Sequence, residues 1–155
     1  MSSTEVPFSI RLSDEHVATS AGSFYLAADR RVVGLARLEP DALVVQFAES
    51  RHVVHVLAAG GVEQRRESDV VSDRRIPLEA ISGARVAWGL LGPRLVVTTS
   101  DLRALAGMPG ANGAELRLRI ARRHRTAASE LVAELQLQLA DLALRRAEAD
   151  RQLPR

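Results

Sequence analysis

The chain of 155 residues contains no cysteine and no lysine. Without cysteine there is no disulfide framework, no thiolate nucleophile and no cysteine-based zinc site. All 21 basic residues are therefore arginine, and Asn112 is the single asparagine, a bias that reads as a mutational signature of GC-rich coding. Aromatic residues make up 3% of the chain against 46% hydrophobic residues, so the core has to be aliphatic. Three Phe, one Tyr and one Trp also leave few platforms for stacking bases, and nucleic acid is disfavoured as a partner. No apolar run approaches the roughly 18 residues of a membrane span. The N-terminus lacks a basic segment followed by an apolar one. Together these absences lead to the expectation of a soluble, cytoplasmic protein whose length suits one domain.

Charge is nearly balanced. Although the sequence pI is about 10.2, the formal net charge is only +2. Arginine keeps its proton to pH above about 12, so the high pI reflects arginine chemistry more than a large excess of positive charge.

The pattern from Phe8 to about Ala121 is that of strands. In "ELRLRIA" Leu116, Leu118 and Ile120 alternate with Glu115, Arg117 and Arg119, giving one buried and one wet face. "DALVVQFA" sets Leu43, Val45 and Phe47 on one face, and the preceding "EPDA" turns the chain back on "VVGLARL" as a hairpin. In "ARVAWGLL" Val86, Trp88 and Leu90 share a face. "GP" at Gly92 and Pro93 marks the next turn, and Leu95, Val97 and Thr99 follow on one side. This places Trp88 in the core. Arg51 to Gly61 reads as a further strand, whereas the charged stretch Arg65 to Asp73 reads as a mobile loop. Ser100 to Glu115 reads as a short helical turn followed by a loop across one end of the sheet.

After Ala121 the composition changes. From about Thr126 to Ala149 there is neither Gly nor Pro, and Ala, Leu, Glu, Gln and Arg dominate, which predicts one helix over about 124–150. It carries two apolar stripes. Ala128, Val132, Leu135, Leu139 and Leu142 form one, while Ala133, Leu137, Ala140, Leu144 and Ala147 form the other on a different face. The first stripe is expected to close the core. The second is expected either to lie under the N-terminal Phe8, Ile10 and Leu12 or to meet a partner.

Several strands followed by one amphipathic helix resemble the pleckstrin-homology superfold. "IPLEAI", Ile76 to Ile81, followed by a hairpin, is similar to the strand-end motif of bacterial PH-like and GRAM-like domains. The resemblance covers about Val32 to Leu144. It implies a single domain over 1–155, mainly β, built as a PH-like barrel or a strongly bent two-sheet β-sandwich capped by the helix. It further implies a binding or scaffolding module without catalytic activity, and it transfers no ligand residues.

The residues themselves agree with a non-enzymatic role. No nucleophile, base and orienting group can be assembled from motifs. His52 and His55, three apart in a strand, point to opposite faces and do not jointly hold a metal, and His16 and His124 stand alone, so no metal or cofactor is expected. Two surfaces remain. The first is the helix face of Leu137, Leu144, Ala133 and Ala140, for a homo-oligomer or a protein partner. The alternative is the cluster Arg122, Arg123 and Arg125, where cations at a helix N-terminus oppose the macrodipole and either splay into water or meet an anion such as a phospholipid head group. Arg30, Arg31 and Arg37 lie near the first hairpin, where PH domains gather ligands, and Arg65, Arg66, Arg74 and Arg75 read as part of a solvated loop.

Overall fold

The alternating stretches are strands of two antiparallel sheets in the computed structural model, which describes residues 4–14, 19–20, 23–57, 60–68 and 71–152. The first sheet runs β1 (Glu5–Asp14), β3 (Ser23–Leu38), β4 (Ala42–Leu57), β5 (Val62–Ser68), and the short β2 (Thr19–Ser20) pairs with β3. β6 (Ser72–Pro77) pairs with the first half of β4, in line with β5 on its second half, so the two occupy one rank. The second sheet has the order β7 (Ile81–Gly89), β8 (Gly92–Thr99), β10 (Glu115–Arg119), β9 (Ala111–Asn112). A bridge between Phe8 and Ile120 joins β1 to the end of the β10 segment, but the sheets are not closed into a barrel. The helix α1 (Arg125–Gln152) follows.

Burial follows the alternation closely. Leu43, Val45 and Phe47 of the first sheet meet Leu95, Val97, Leu116, Leu118 and Ile120 of the second in one aliphatic core. α1 closes it with Ala128, Leu131, Val132 and Leu135, while Leu139 and Leu142 pack at its margin. In the Ile76–Ile81 motif, Ile76, Leu78 and Ile81 are all buried around a single 3-10 turn. That turn carries the chain from one sheet to the other.

Two outward-facing valines are buried as well, by the same device in each sheet. Val44 has Arg37 and Arg75 as cross-strand neighbours, and both guanidinium groups reach Glu39, at 3.3 and 2.6 Å. Val96 lies between Arg85 and Arg117, which both reach Glu115, at 3.5 and 2.7 Å. Arginine stems cover the apolar side chain while the heads are tied to one carboxylate. The Arg75 hydrogen bond holds Glu39 below the usual carboxylate range, and the Arg117 hydrogen bond does the same for Glu115.

Four sequence expectations are corrected. Arg51–Leu57 is not a further strand but the second half of β4. Of the stretch Arg65–Asp73 read as a loop, Arg65–Ser68 belong to β5 and Ser72 and Asp73, with Arg74 and Arg75, to β6, while Asp69 and Val70 lie outside the described residues. Charge there excludes burial but not strand pairing, and charged side chains are a normal covering for a sheet edge. The turn after Trp88 is made by Leu90 and Leu91 between Gly89 and Gly92, two residues ahead of the Gly-Pro signal, with Gly92 at φ 110°. Trp88 is 57% exposed. It pairs with the buried Pro93, two residues beyond the pairing of half-buried Val86 with buried Leu95, so the β7 arm of the hairpin outruns the core that its parity points to. The Arg125 guanidinium lies over the indole, 4.9 Å from its centroid.

Candidate anion-binding cleft

Two adjoining cavities open along the seam where β1 meets β10. One, of about 480 Å³, is lined by Ser9, Arg11, Arg31, Arg119 and Arg122 with the apolar Leu91, Pro93 and Ile120. The other, of about 610 Å³, shares Arg11, Leu91 and Arg119 with the first and adds Arg94 and Arg117.

Strand register explains why these arginines converge. Val6, Phe8, Ile10 and Leu12 of β1 turn to the core, so Arg11 turns outward. Its direct partner in β3 is Arg31. In the second sheet Leu118 pairs with Leu95 inside, so the next residues, Arg119 and Arg94, are partners on the outside. Each sheet thus sets two arginines directly opposite each other, with Cβ atoms about 5 Å apart, an arrangement that like charges make unfavourable. The Phe8–Ile120 bridge brings both pairs to the same seam.

The contrast with the rest of the surface is electrostatic. Arg30 bonds to Glu49, with its Nη2 at 2.9 Å, Arg37 and Arg75 share Glu39, and Arg145 meets Asp141 at 2.6 Å. Arg11, Arg31, Arg94, Arg119 and Arg122 make no ion pair among the described residues. Arg117 is held by Glu115. Apolar walls beside unpaired cations strengthen their field towards an incoming anion.

The sequence-derived cluster is divided. Arg122 lines the cleft. Arg123 is exposed and its Nε donates to His124 Nε2 at 3.0 Å, and Arg125 is committed to Trp88. No acidic residue occupies the first turn of α1, so the unfavourable placement of these cations at a helix start stands uncompensated there. Of the residues placed near the first hairpin, Arg31 reaches the cleft, whereas Arg30 and Arg37 are held by glutamates. Sequence reasoning missed Arg11, Arg94 and Arg119; the available signal was an arginine at an outward position in each of three strands.

On the helix, Leu137 and Leu144 are 71% and 64% exposed, and Ala133 and Ala140 are exposed beside them. The N-terminal strand does not cover this face, because Phe8 is in the core and Ile10 and Leu12 pack against it. His52 is exposed on β4; His16 and the side chains of His55, Arg65 and Glu67 lie outside the described residues. Among the described residues no three His, Cys, Asp or Glu side chains gather as metal ligands, and no helix is long and apolar enough to cross a membrane. No family model, curated protein or solved structure matches the chain.

Proposed function

We propose that the chain is a non-enzymatic interaction module of PH-like type that recognises phosphate-bearing anions in the β1–β10 cleft. The element order and the Ile76–Ile81 turn support the PH-like reading. The observation that carries the functional reading is the pair of cross-strand arginine couples, Arg11 with Arg31 and Arg94 with Arg119, on one seam. A ligand with two or more acidic oxygens relieves both repulsions at once and accepts the forked hydrogen bonds that guanidinium groups make well. The cavities suit a group of that size, and their polar chemistry is supplied by arginine and the Ser9 hydroxyl. Calorimetric titration with pyrophosphate tests this. Saturable binding that weakens as salt rises is the expected result, and no heat at low ionic strength rejects the reading.

A second reading concerns the helix. Its outer stripe of Leu137 and Leu144, with Ala133 and Ala140, fits self-association or a protein partner, supported by the exposure of both leucines. Burying two leucines contributes roughly 3–6 kcal/mol before association entropy is deducted.

A further inference from the structure

The β7–β8 hairpin breaks an ordinary rule of turn composition. Its tip is Leu90–Leu91, where Gly, Asn, Asp or Pro is usual, and Leu90 is fully exposed while Leu91 is 62% exposed. With Trp88 they form an exposed apolar tip on the β7 side of the hairpin, next to the buried Gly92 and Pro93 that begin β8.

The surroundings of this tip are cationic. Leu91 lines both cavities, in company with Arg11, Arg94, Arg119 and Arg122. The Arg94 guanidinium lies against Gly89 at the base of the turn, 3.3 Å from where a Cβ would stand. Arg125 covers one face of Trp88.

We propose that this hairpin tip is a wedge for an anionic bilayer surface, with Trp88, Leu90 and Leu91 seated at the headgroup–acyl boundary and the cleft arginines on lipid phosphates. The role given to the arginines rests on the anion-binding reading above; the wedge is additional to it. Charge complementarity selects the occupant, since an anionic bilayer presents phosphate and apolar chains one above the other over about 5–10 Å, matching a tip ringed by guanidinium groups. A stacked indole and guanidinium belong at that depth, because the ring has an apolar body and a polar edge. Turn backbone groups not paired in the ladder limit the wedge to the interface and keep it out of the hydrocarbon centre.

Trp88 is the single tryptophan, so its fluorescence reports the wedge directly. The full chain is titrated with vesicles of equal parts phosphatidylglycerol and phosphatidylcholine, with pure phosphatidylcholine vesicles, and with pyrophosphate. Expected are a blue shift and quenching by brominated acyl chains with the anionic vesicles only. The variant Leu90→Ser, at the tip residue that lines neither cavity, its fold checked by circular dichroism, should lose about tenfold in vesicle affinity and none for pyrophosphate. Arg11→Gln with Arg119→Gln should weaken vesicle binding about fivefold per charge and pyrophosphate binding as well. Pyrophosphate binding without a blue shift on anionic vesicles overturns the wedge and leaves the cleft standing. Unchanged vesicle affinity in the leucine variant also overturns it, and failure to bind either probe removes both proposals.

Discussion

Arg11 stands directly opposite Arg31 in the β1–β3 ladder. Arg94 and Arg119 repeat the relationship between β8 and β10. A fold stabilised by its own interactions gains nothing from two like-charged couples on one seam. Elsewhere the same surface ties arginines to Glu39, Glu49 and Glu115.

Removing one member of each couple should therefore separate stability from binding. Arg31→Gln with Arg94→Gln is expected to leave stability unchanged or raise it, by up to about 0.2–1 kcal/mol per couple, with exposure favouring the lower figure. Pyrophosphate should raise the melting temperature of the unaltered protein and do so less for the variant. Scanning calorimetry with and without pyrophosphate checks both halves.

Glu115 restrains the neighbouring charge. Its carboxyl is held below the ordinary range chiefly by Arg117, so the contribution of that contact to stability is present above the ordinary carboxylate pKa. It is lost as pH falls through the lowered folded value. Glu115→Gln should release Arg117 and tighten pyrophosphate binding by roughly two- to fivefold at neutral pH. The advantage of the variant over the wild type should shrink as pH falls through Glu115's own lowered titration, where the wild-type carboxyl becomes neutral as well.

Gly34 is required by packing and not by backbone conformation. A Cβ there would lie 2.1 Å from the Gln46 carbonyl oxygen and 2.6 Å from the ring of Phe8, its cross-strand partner. The carbonyl belongs to the sheet and cannot rotate away. Gly34→Ala is expected to cost about 3 kcal/mol or more, measured by urea denaturation.

The two helix stripes should respond oppositely. Leu135 is fully buried, and Leu135→Ala should cost about 2–5 kcal/mol. Leu137→Glu with Leu144→Glu should shift stability by no more than about 0.5 kcal/mol and abolish any dimer seen by light scattering. An unfolded double variant would mean that this face is core.

The sequence was most informative where one face is buried and the other wet. Leu116, Leu118 and Ile120, with Ala128, Val132 and Leu135 of the first helix stripe, occupy the core that their periodicity assigns to them, and Leu139 and Leu142 reach its margin. Parity was also right for Trp88, which shares a face with Val86, but parity carries no information on where the core ends. Charge misled at Arg65–Asp73, because an exposed edge strand and a solvated loop have similar composition. The cleft was largely hidden for a different reason. Arg11, Arg31, Arg94 and Arg119 lie far apart in the chain and meet only through strand register and the Phe8–Ile120 bridge. Arg122, next to the last strand, and Arg31, near the first hairpin, were the members within reach.

The most direct test of the cleft follows the arginine Nε–H resonances by nuclear magnetic resonance as pyrophosphate is added. The expected result is saturable movement of the signals from Arg11, Arg31, Arg94, Arg119 and Arg122, with Arg145 and Arg146 on the distal helix unmoved. Small, unsaturating shifts spread evenly over all the arginines would contradict the account.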